Sequence, residues 1–445
     1  MKGEINLGIK VAKFGGSSLC DAEHFRRVKA IVESDPDYCY VVPGAPGKRF
    51  DADEKITDLL YQCHRLVERN RSHEELFKKV ADRYIQIAEE LGLDFDVHEM
   101  LLETSDAIRR FKNPDFAASR GEYMNGVLLS KYLGWDFIDA KDVIKFDRQG
   151  IFASEWTNEV LTEALKYHPR AVIPGFYGAY PNGDVHTFSR GGSDISGAIV
   201  ARAAHADLYV NWTDVSGFMM ADPRIVKNPK CIRELSYREL RELSYMGATV
   251  LHEDAIFPVH KAGIPTNIRN TNAPEDPGTM IVVNPSQAQS DQIITGIAGH
   301  KNFTLLSIEK AMMNAELGFG RRVLQALEDF GVSFEHLPTG IDTMSVVIAD
   351  KELVTRKDQI IQRIQQTCQP DSIEISAGIA LIATVGHGMT SAPGTAAKLF
   401  TALSEAGVNI RMIDQGSSEL NIIVGINIED FETAMNAIYR AFVKD

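Results

Sequence analysis

Short apolar runs alternate with amphipathic stretches over roughly the first 290 residues, which is the pattern of an α/β fold. Ile9 to Phe14, Tyr38 to Val42, Ala171 to Ile173 and Leu208 to Trp212 have strand length and are expected to be buried strands. After the first of them, Phe25, Val28 and Val32 recur at helical spacing. A wider helical stripe follows in Ile56, Leu59, Leu60, Cys63, Leu66 and Val67. Arg71 to about Arg110 is helix-rich and reads as an excursion over the sheet. Thr271 to Gly278 is rich in Asn, Pro and Gly, and Pro285 to Asp291 is polar without helical pattern. A domain boundary is therefore expected near 271–292.

Beyond that boundary the pattern repeats with an offset of 76 residues and no gap. Leu305 and Leu306 fall on Leu381 and Ile382, Gly318 on Gly394, and Leu327 on Leu403. Gly331-Val332 falls on Gly407-Val408, and Gly340 on Gly416. Met344, Val346, Val347 and Ile348 fall on Leu420, Ile422, Ile423 and Val424. Each copy reads strand, glycine loop, helix, strand, strand, helix. A period this long implies a duplicated structural unit. Such a unit leaves sheet edges open, so the copies are expected to pair side by side, within the chain or across a dimer.

A chain of 445 residues is too long for one ordinary core. Its hydrophobic content of 44% and charged content of 24% are those of a soluble protein. A formal net charge of −14 argues against nucleic-acid and anionic-membrane partners, though not against phosphate in a locally basic pocket. No apolar run approaches the ~18 residues of a membrane span, and Met1 to Lys13 lacks a signal-peptide pattern. Cys20, Cys39, Cys63, Cys231 and Cys368 contain no C-x-x-C pair, which suits reduced thiols in a cytoplasmic protein. No H-E-x-x-H or Cys/His cluster indicates zinc, so no metal ligands are expected.

Three glycine- or strand-end motifs carry candidate chemistry. Lys13-Phe14-Gly15-Gly16-Ser17-Ser18 follows a strand and precedes a helix whose N-cap is expected to be Asp21. Glycines there let backbone amides face an anion, and a lysine beside them adds a point charge. It is neither a Walker A loop nor a G-x-G-x-x-G fingerprint, and a tight turn with a surface lysine has the same sequence. Ser189-Arg190-Gly191-Gly192-Ser193-Asp194 precedes the helix Ile195 to His205. Arg190 suits bidentate carboxylate binding, and Ser193 sits at the positive helix end; a capped loop is the plain alternative. Trp212-Thr213-Asp214-Val215-Ser216-Gly217 ends a strand, where ligands of open α/β sheets bind, and Asp222-Pro223-Arg224 follows. Thr57 in a first helical turn and Arg120-Gly121-Glu122 are weaker, being compatible with a helix end and a solvated turn. Two anion cradles with separate cations suit phosphoryl transfer, which depends on positioning and charge neutralisation.

Taken in order, these motifs resemble the aspartate kinases of the amino acid kinase superfamily along essentially the whole chain. Lys13 to Ser18 is similar to their K-F-G-G-[ST]-S, Arg120-Gly121-Glu122 to [RH]-G-E, and Gly175-Phe176-Tyr177-Gly178 to G-F-x-G. Arg190 to Asp194 is similar to R-G-G-S-D and Thr213 to Gly217 to T-D-V-x-G. Asp222-Pro223-Arg224 and Val250-Leu251-His252 follow in the family's order. The tail repeat resembles paired ACT domains. The resemblance implies an α/β, mostly parallel sheet sandwiched by helices, followed by two ferredoxin-like α+β units. The expected division is a catalytic domain 1–290, a first ACT domain 291–372 completed by the C-terminal segment, and a second, 373–445, inserted in the first.

The implied activity is ATP-dependent phosphorylation of the β-carboxylate of L-aspartate, giving 4-phospho-L-aspartate at the head of the route to lysine, threonine and methionine. Without a long further C-terminal domain, a monofunctional enzyme is expected. The resemblance implies that Lys13 stabilises the transferring phosphoryl, oriented by Asp194, and that Gly15 and Gly16 cradle phosphates. Arg190 would bind the α-carboxylate and Glu122 the ammonium, with Thr57, Phe176 and Ser193 completing the pocket. Thr213, Asp214 and Arg224 would serve ATP, with Mg²⁺ carried largely by the phosphates. Three positions depart from the family: Gly44 where many members have serine, Met219 where some have tyrosine, and Thr249 where some have lysine. In the tail, Met312, Met313, Asn314, Phe334, Glu335 and Asp342 are the candidate effector residues. Glu335 and Asp342 suit an ammonium, favouring lysine over threonine, and are equally compatible with solvated surface charges. A homodimer or homotetramer through the ACT units is expected.

Overall fold

The computed structural model describes residues 8–189, 191–248, 251, 253–286 and 292–443. Arg190, Thr249, Val250 and His252 lie outside them. The chain forms two compact units. One comprises Met1–Phe218, Cys231–Tyr237 and Thr249–Pro285; the other comprises Met219–Lys230, Arg238–Ala248 and Ser286–Asp445.

The first unit is built on an eight-stranded sheet. Its strands are β1 (Lys10–Phe14), β2 (Tyr38–Pro43), β3 (Asp136–Phe137), β4 (Ala171–Val172), β7 (Leu208–Thr213), β8 (Glu234–Ser236), β9 (Thr266–Asn270) and β10 (Thr279–Val282). β5 (Tyr177–Ala179) and β6 (Val185–Thr187) form a separate hairpin. The sheet order is β3-β4-β2-β1-β7-β9-β10-β8, and only β9 and β10 pair antiparallel. Strands buried on both faces read as continuous apolar runs, which is why the four expected ones are found.

The helices of this unit are α1 (Ala22–Glu33), α2 (Ile56–Glu68), α3 (Glu74–Leu91), α4 (Val97–Phe111), α5 (Pro114–Leu133), α6 (Ala140–Val143), α7 (Ser154–Leu165), α8 (Gly192–Ala203) and α10 (Phe257–Ala262), with α9 (Tyr237–Tyr245) beginning at its edge. Asp21 caps α1, its carboxylate accepting from His24 N at 3.0 Å. The expected excursion is α3 and α4, whose Phe77, Val80, Tyr84, Leu101 and Ile108 close one core with α1, α2 and α5. The α5 helix is buried almost all round, as a helix without a polar face must be. It nonetheless carries buried Ser119, Arg120, Glu122 and Asn125. Because β1, β2 and β7 are parallel and in register, Phe14 pairs with both Pro43 and Trp212. Their carboxyl ends therefore open on one edge of the sheet.

The second unit holds a five-stranded antiparallel sheet: β11 (Gly296–Glu309), β12 (Thr343–Ala349), β13 (Ser372–Val385), β14 (Ile410–Asp414) and β15 (Asn421–Asn427), in the order β12-β11-β13-β15-β14. Its helices are α11 (Phe319–Glu328), α12 (Asp350–Leu353), α13 (Lys357–Cys368), α14 (Thr395–Glu405) and α15 (Phe431–Phe442). The duplication is structural. β11 and β13 begin 76 residues apart, as do α11 and α14. The copies pair side by side through β11 and β13. Residues 303–309 of β11 lie between β12 and the front of β13, while 296–300 pair with 381–385.

Two details differ from the sequence reading. The last helix α15 packs on α14 of the second copy, and the front of β11 joins that copy's sheet. The C-terminal segment therefore does not complete the first copy. Segments 219–230 and 238–248 also belong to this unit, not to the front body. Met220 O accepts from Ile297 N at 2.7 Å, and Asn421 donates to Glu242 at 2.6 Å. These contacts span more than 70 positions, so no local composition marks them.

Candidate active site

Lys13 is the penultimate residue of β1, and it is not the surface lysine that a plain turn would carry. Its residue is only 6% exposed. Its Nζ lies 2.6 Å from Asp194 Oδ1 and 3.5 Å from Asn211 Oδ1, and Asn211 Nδ2 donates to the same Asp194 oxygen at 2.8 Å. A buried ammonium is tolerated only when paired and hydrogen-bonded, and this one is. Three elements fix it: β1 supplies Lys13, β7 supplies Asn211, and the first turn of α8 supplies Asp194. The close packing of α8 on β1 and β7 needs Gly197. A Cβ there would meet Tyr209 Oη at 2.5 Å and Lys13 Cβ at 2.9 Å. Gly197→Ala is expected to lower kcat at least about tenfold and to destabilise the unit by about 1–3 kcal/mol through overpacking. Steady-state kinetics with a melting curve check this; unchanged kcat would show that Lys13 is not held by that packing.

The cradle after β1 is a 3₁₀ turn, Gly16–Leu19. Its first internal bond is Ser18 N to Gly15 O at 3.0 Å, so the amides of Gly16 and Ser17 have no acceptor within the turn. The Gly15 amide instead donates to Trp212 O at 3.3 Å, continuing the sheet. Of the two glycines expected to face phosphate, Gly16 is the one whose amide the turn leaves over.

The loop after β2 is the hub of the site. Pro43 O accepts from Gly175 N at 3.0 Å, and Gly44 N donates to Phe14 O at 2.9 Å. Gly44 O accepts from Asn125 Nδ2 at 2.7 Å, and Gly47 N donates to Gly16 O at 2.8 Å. Both backbone polar groups of Gly44 are thus engaged within the protein, and neither replaces the hydroxyl that many family members carry there. Gly16 and Gly47 touch backbone to backbone, since a Cβ on Gly47 would lie 2.6 Å from Gly16 C. Arg83 of α3 clamps the far end, donating to Gly47 O at 3.0 Å while held by Asp53 at 2.6 Å. Hydrogen bonds from Arg49, together with Arg83, hold the Asp53 carboxyl well below its usual range.

Glu122 of α5 faces this loop and is 7% exposed. Burial pushes its carboxyl up to about 8, against the hydrogen bonds that its own amide and that of Ala45 give it. Among the described residues its Oε2 has no partner. A buried carboxylate oxygen left open in this way is complementary to a ligand ammonium. Arg120, beside it, is turned away among the rings of Phe116, Tyr123 and Tyr177.

Phe176 has φ of 80°, a costly conformation for a phenylalanine. It is held by bonds from its amide to Gly192 O at 3.2 Å and Ser196 Oγ at 2.9 Å, which fix the Gly175–Phe176 turn on the start of α8 beside Ser193. Thr57 is half-buried in the first turn of α2. Thr213 ends β7, its carbonyl accepting from Thr271, whose hydroxyl also meets Ser18 Oγ at 2.7 Å. Asp214 is exposed beside it. Arg224 and Met219 lie in the 219–230 segment of the second unit, where the exposed Arg224 is paired with Asp222 at 2.6 Å. The structure thus joins Lys13, Gly16, Asp194, Phe176 and Ser193 around one strand edge, with Glu122 across the hub. No motif in the sequence singles out Asn211, Asn125, Gly47 or Arg83. Asn211 alone left a signal, a polar residue inside an apolar strand run.

The chain is similar to known proteins over its whole length. Residues 8–270 match the amino acid kinase family and residues 382–442 an ACT domain. Aspartokinase 3 of Bacillus subtilis is 39% identical, over 98% of both chains. The chain belongs to the aspartokinases. The aspartate kinase of Clostridium acetobutylicum, described as allosteric, is 54% identical with a TM-score of 0.91, covering 98% of this chain and 100% of that one. Aspartokinase III of Escherichia coli, solved with aspartate and ADP, is 25% identical with a TM-score of 0.73, at 98% and 100% coverage. As in other aspartokinases, the large parallel sheet carries the kinase body and the antiparallel sheet the ACT repeat. No helix among the described residues is long and apolar enough to cross a membrane.

The effector candidates of this aspartokinase divide into two groups. Met312 N donates to Asp342 Oδ1 at 2.9 Å and Asn314 N to Ile341 O at 3.1 Å, joining those loops. Glu335 lies further along, its amide donating to Val347 O at 2.8 Å and its carboxylate accepting from Tyr245. Phe334 is exposed next to it. Asp342 precedes β12 and Val347 is five residues further on, so the two groups are about 16–17 Å apart at the rise of a strand. The Met313 side chain belongs to the core of the first copy, with Leu306, Phe319 and Val346, and is no surface contact.

Proposed function

We propose that the chain transfers the γ-phosphoryl group of ATP to the β-carboxylate of L-aspartate, forming 4-phospho-L-aspartate and ADP, under control of an amino acid bound by the ACT repeat. The observation that carries this reading is the buried Lys13–Asp194–Asn211 cluster on the strand edge that also presents Gly16 and faces the open oxygen of Glu122. The E. coli relative crystallised with aspartate and ADP supports the choice of substrates.

Lys13 neutralises charge on the phosphoryl oxygens as one bridging bond breaks and one carboxylate oxygen–phosphorus bond forms. Asp194 and Asn211 hold its ammonium in line. No proton needs to be moved, because the acceptor carboxylate is ionised at neutral pH and ADP leaves as the anion. Glu122 takes the substrate ammonium, and Arg190 is assigned the α-carboxylate. Mg²⁺, when bound, neutralises nucleotide phosphate charge. The described residues give it no cage of hard oxygen ligands at the cradle, and the Asp194 carboxylate is committed to Lys13, which suits an ion held mainly by the phosphates. An ADP-release assay across aspartate, glutamate, acetylglutamate and UMP tests the reading. Aspartate should be preferred, and preference for any other acceptor sinks it.

For the tail, lysine is the first candidate effector and threonine the second, bound between ACT units of a homodimer or homotetramer. The E. coli relative solved with lysine and aspartate supports this choice. Saturating lysine is expected to lower activity and shift the melting temperature. If lysine and threonine, alone and together, change neither, the proposal fails.

A further inference from the structure

In the sequence Asp21 is the expected cap of a helix, and no Cys/His pattern around it indicates a metal. Folded, they are the one group of three metal-ligating side chains found among the described residues. Cys20 Sγ lies 3.4 Å from His24 Nδ1 and 3.7 Å from Asp21 Oδ2. We propose that Cys20, Asp21 and His24 form a site for a borderline-soft divalent cation, Zn²⁺ by its chemistry, between the phosphate cradle and α1.

The two edges from sulfur are those of a tetrahedral site. Metal–sulfur bonds of about 2.3 Å and metal–nitrogen or metal–oxygen bonds of about 2.0–2.2 Å place sulfur about 3.6 Å from either lighter ligand. The two separations from Cys20 sulfur bracket that value. Without an ion, His24 Nδ1 lies 2.7 Å from the capping oxygen Asp21 Oδ1, a contact that the ion must displace. Asp21 Oδ1 accepts from His24 N at 3.0 Å, and Oδ2 is the oxygen facing the thiol. The Cys20 residue is 3% exposed, while the His24 and Asp21 side chains are 25% and 34% exposed, so the ion has an entry path and a water can fill the fourth position.

The electrostatics agree. Burial, and then the Asp21 carboxylate, push the Cys20 thiol up to about 11, so the empty site holds a thiol and no nucleophile. A divalent cation reverses this. It takes the thiolate and carboxylate as a neutral set, the thiol proton leaves to solvent, and the imidazole must turn Nδ1 from the Asp21 carboxylate to the ion, with its ring proton on Nε2. Thiolate and imidazole select against Mg²⁺, so the site does not draw on the ion that accompanies ATP. Cys39, Cys63, Cys231 and Cys368 belong to no such group among the described residues.

The test uses metal-stripped full-length protein. Titrated with Zn²⁺ by calorimetry in two buffers, it should bind one ion per chain, release about one proton at neutral pH, and be unaffected by excess Mg²⁺. Co²⁺ should give a thiolate-to-metal charge-transfer band. Cys20→Ser and His24→Gln should each weaken Zn²⁺ binding at least about tenfold, with wild-type melting profiles. Asp21→Asn, which keeps the capping oxygen, should weaken it independently. Absence of Zn²⁺ binding at submillimolar metal, a Co²⁺ spectrum without the thiolate band, or undiminished binding by Cys20→Ser overturns the proposal.

Discussion

Replacing Lys13 by alanine is expected to lower kcat by about 10²–10³-fold or more, with the fold intact. The reasoning starts from burial. A lysine held in a dry pocket by Asp194 and Asn211 has lost most of its freedom, so its charge is in place before the reaction begins. The transferring phosphoryl spreads charge over its oxygens, and a fixed cation in low dielectric is worth most there. The fold should survive because Asp194 keeps its bond to Asn211 and is partly solvated. Lys13→Arg should not rescue, since a planar guanidinium does not reproduce the compact ammonium that Asp194 and Asn211 hold. Single-turnover phosphoryl transfer and a melting curve make the check. Wild-type turnover in Lys13→Ala would remove Lys13 from the mechanism.

Glu122→Gln is expected to raise KM for aspartate by about 10–100-fold, the scale of a charge-assisted hydrogen bond. It should also erase a pH dependence. In the free protein the Glu122 carboxyl titrates near 8, so at pH 7 most chains hold it protonated. An ammonium binds the ionised form, so aspartate binding must expel that proton below about pH 8. KM for aspartate should therefore fall as pH rises from about 6.5 to 8 and then level. The glutamine variant should show no such fall. Stability moves the opposite way. The folded value lies above the ordinary 4.5, so between 4.5 and about 8 the native state keeps a proton that the unfolded chain has lost. The contribution of Glu122 to stability is full below 4.5 and is lost as pH rises through 8. Melting temperatures of wild type and Glu122→Gln between pH 6 and 9 should diverge in favour of the variant. A flat KM profile in the wild type would contradict the ammonium role.

The parts legible in the sequence are those written in local pattern. Parallel strands buried on both faces produce apolar runs, so β1, β2, β4 and β7 stand out. The tail duplication is legible because turn glycines and core positions keep one register across 76 residues. Lys13 and Asp194 are legible as motif residues, but their contact is not, because it joins positions 181 apart through the packing of α8. Glu122 has the same character. Nothing in Arg-Gly-Glu distinguishes a solvated turn from the interior of α5; the buried circumference of that helix decides it. The transfer of 219–230 and 238–248 to the second unit and the exchange of strand halves between β11 and β13 are likewise long-range pairings. Cys20 and His24 are illegible as ligands for a different reason. Asp21 already had a role as a helix cap, and a capping carboxylate has a second oxygen.

The most direct test of the central claim is product trapping. Purified chain incubated with ATP, Mg²⁺, L-aspartate and hydroxylamine should yield aspartyl hydroxamate in proportion to ADP. The hydroxamate should vanish without ATP and in Lys13→Ala, and glutamate should give almost none. ADP release without aspartyl hydroxamate, or equal hydroxamate from glutamate, would contradict the assignment of this site to aspartate phosphorylation.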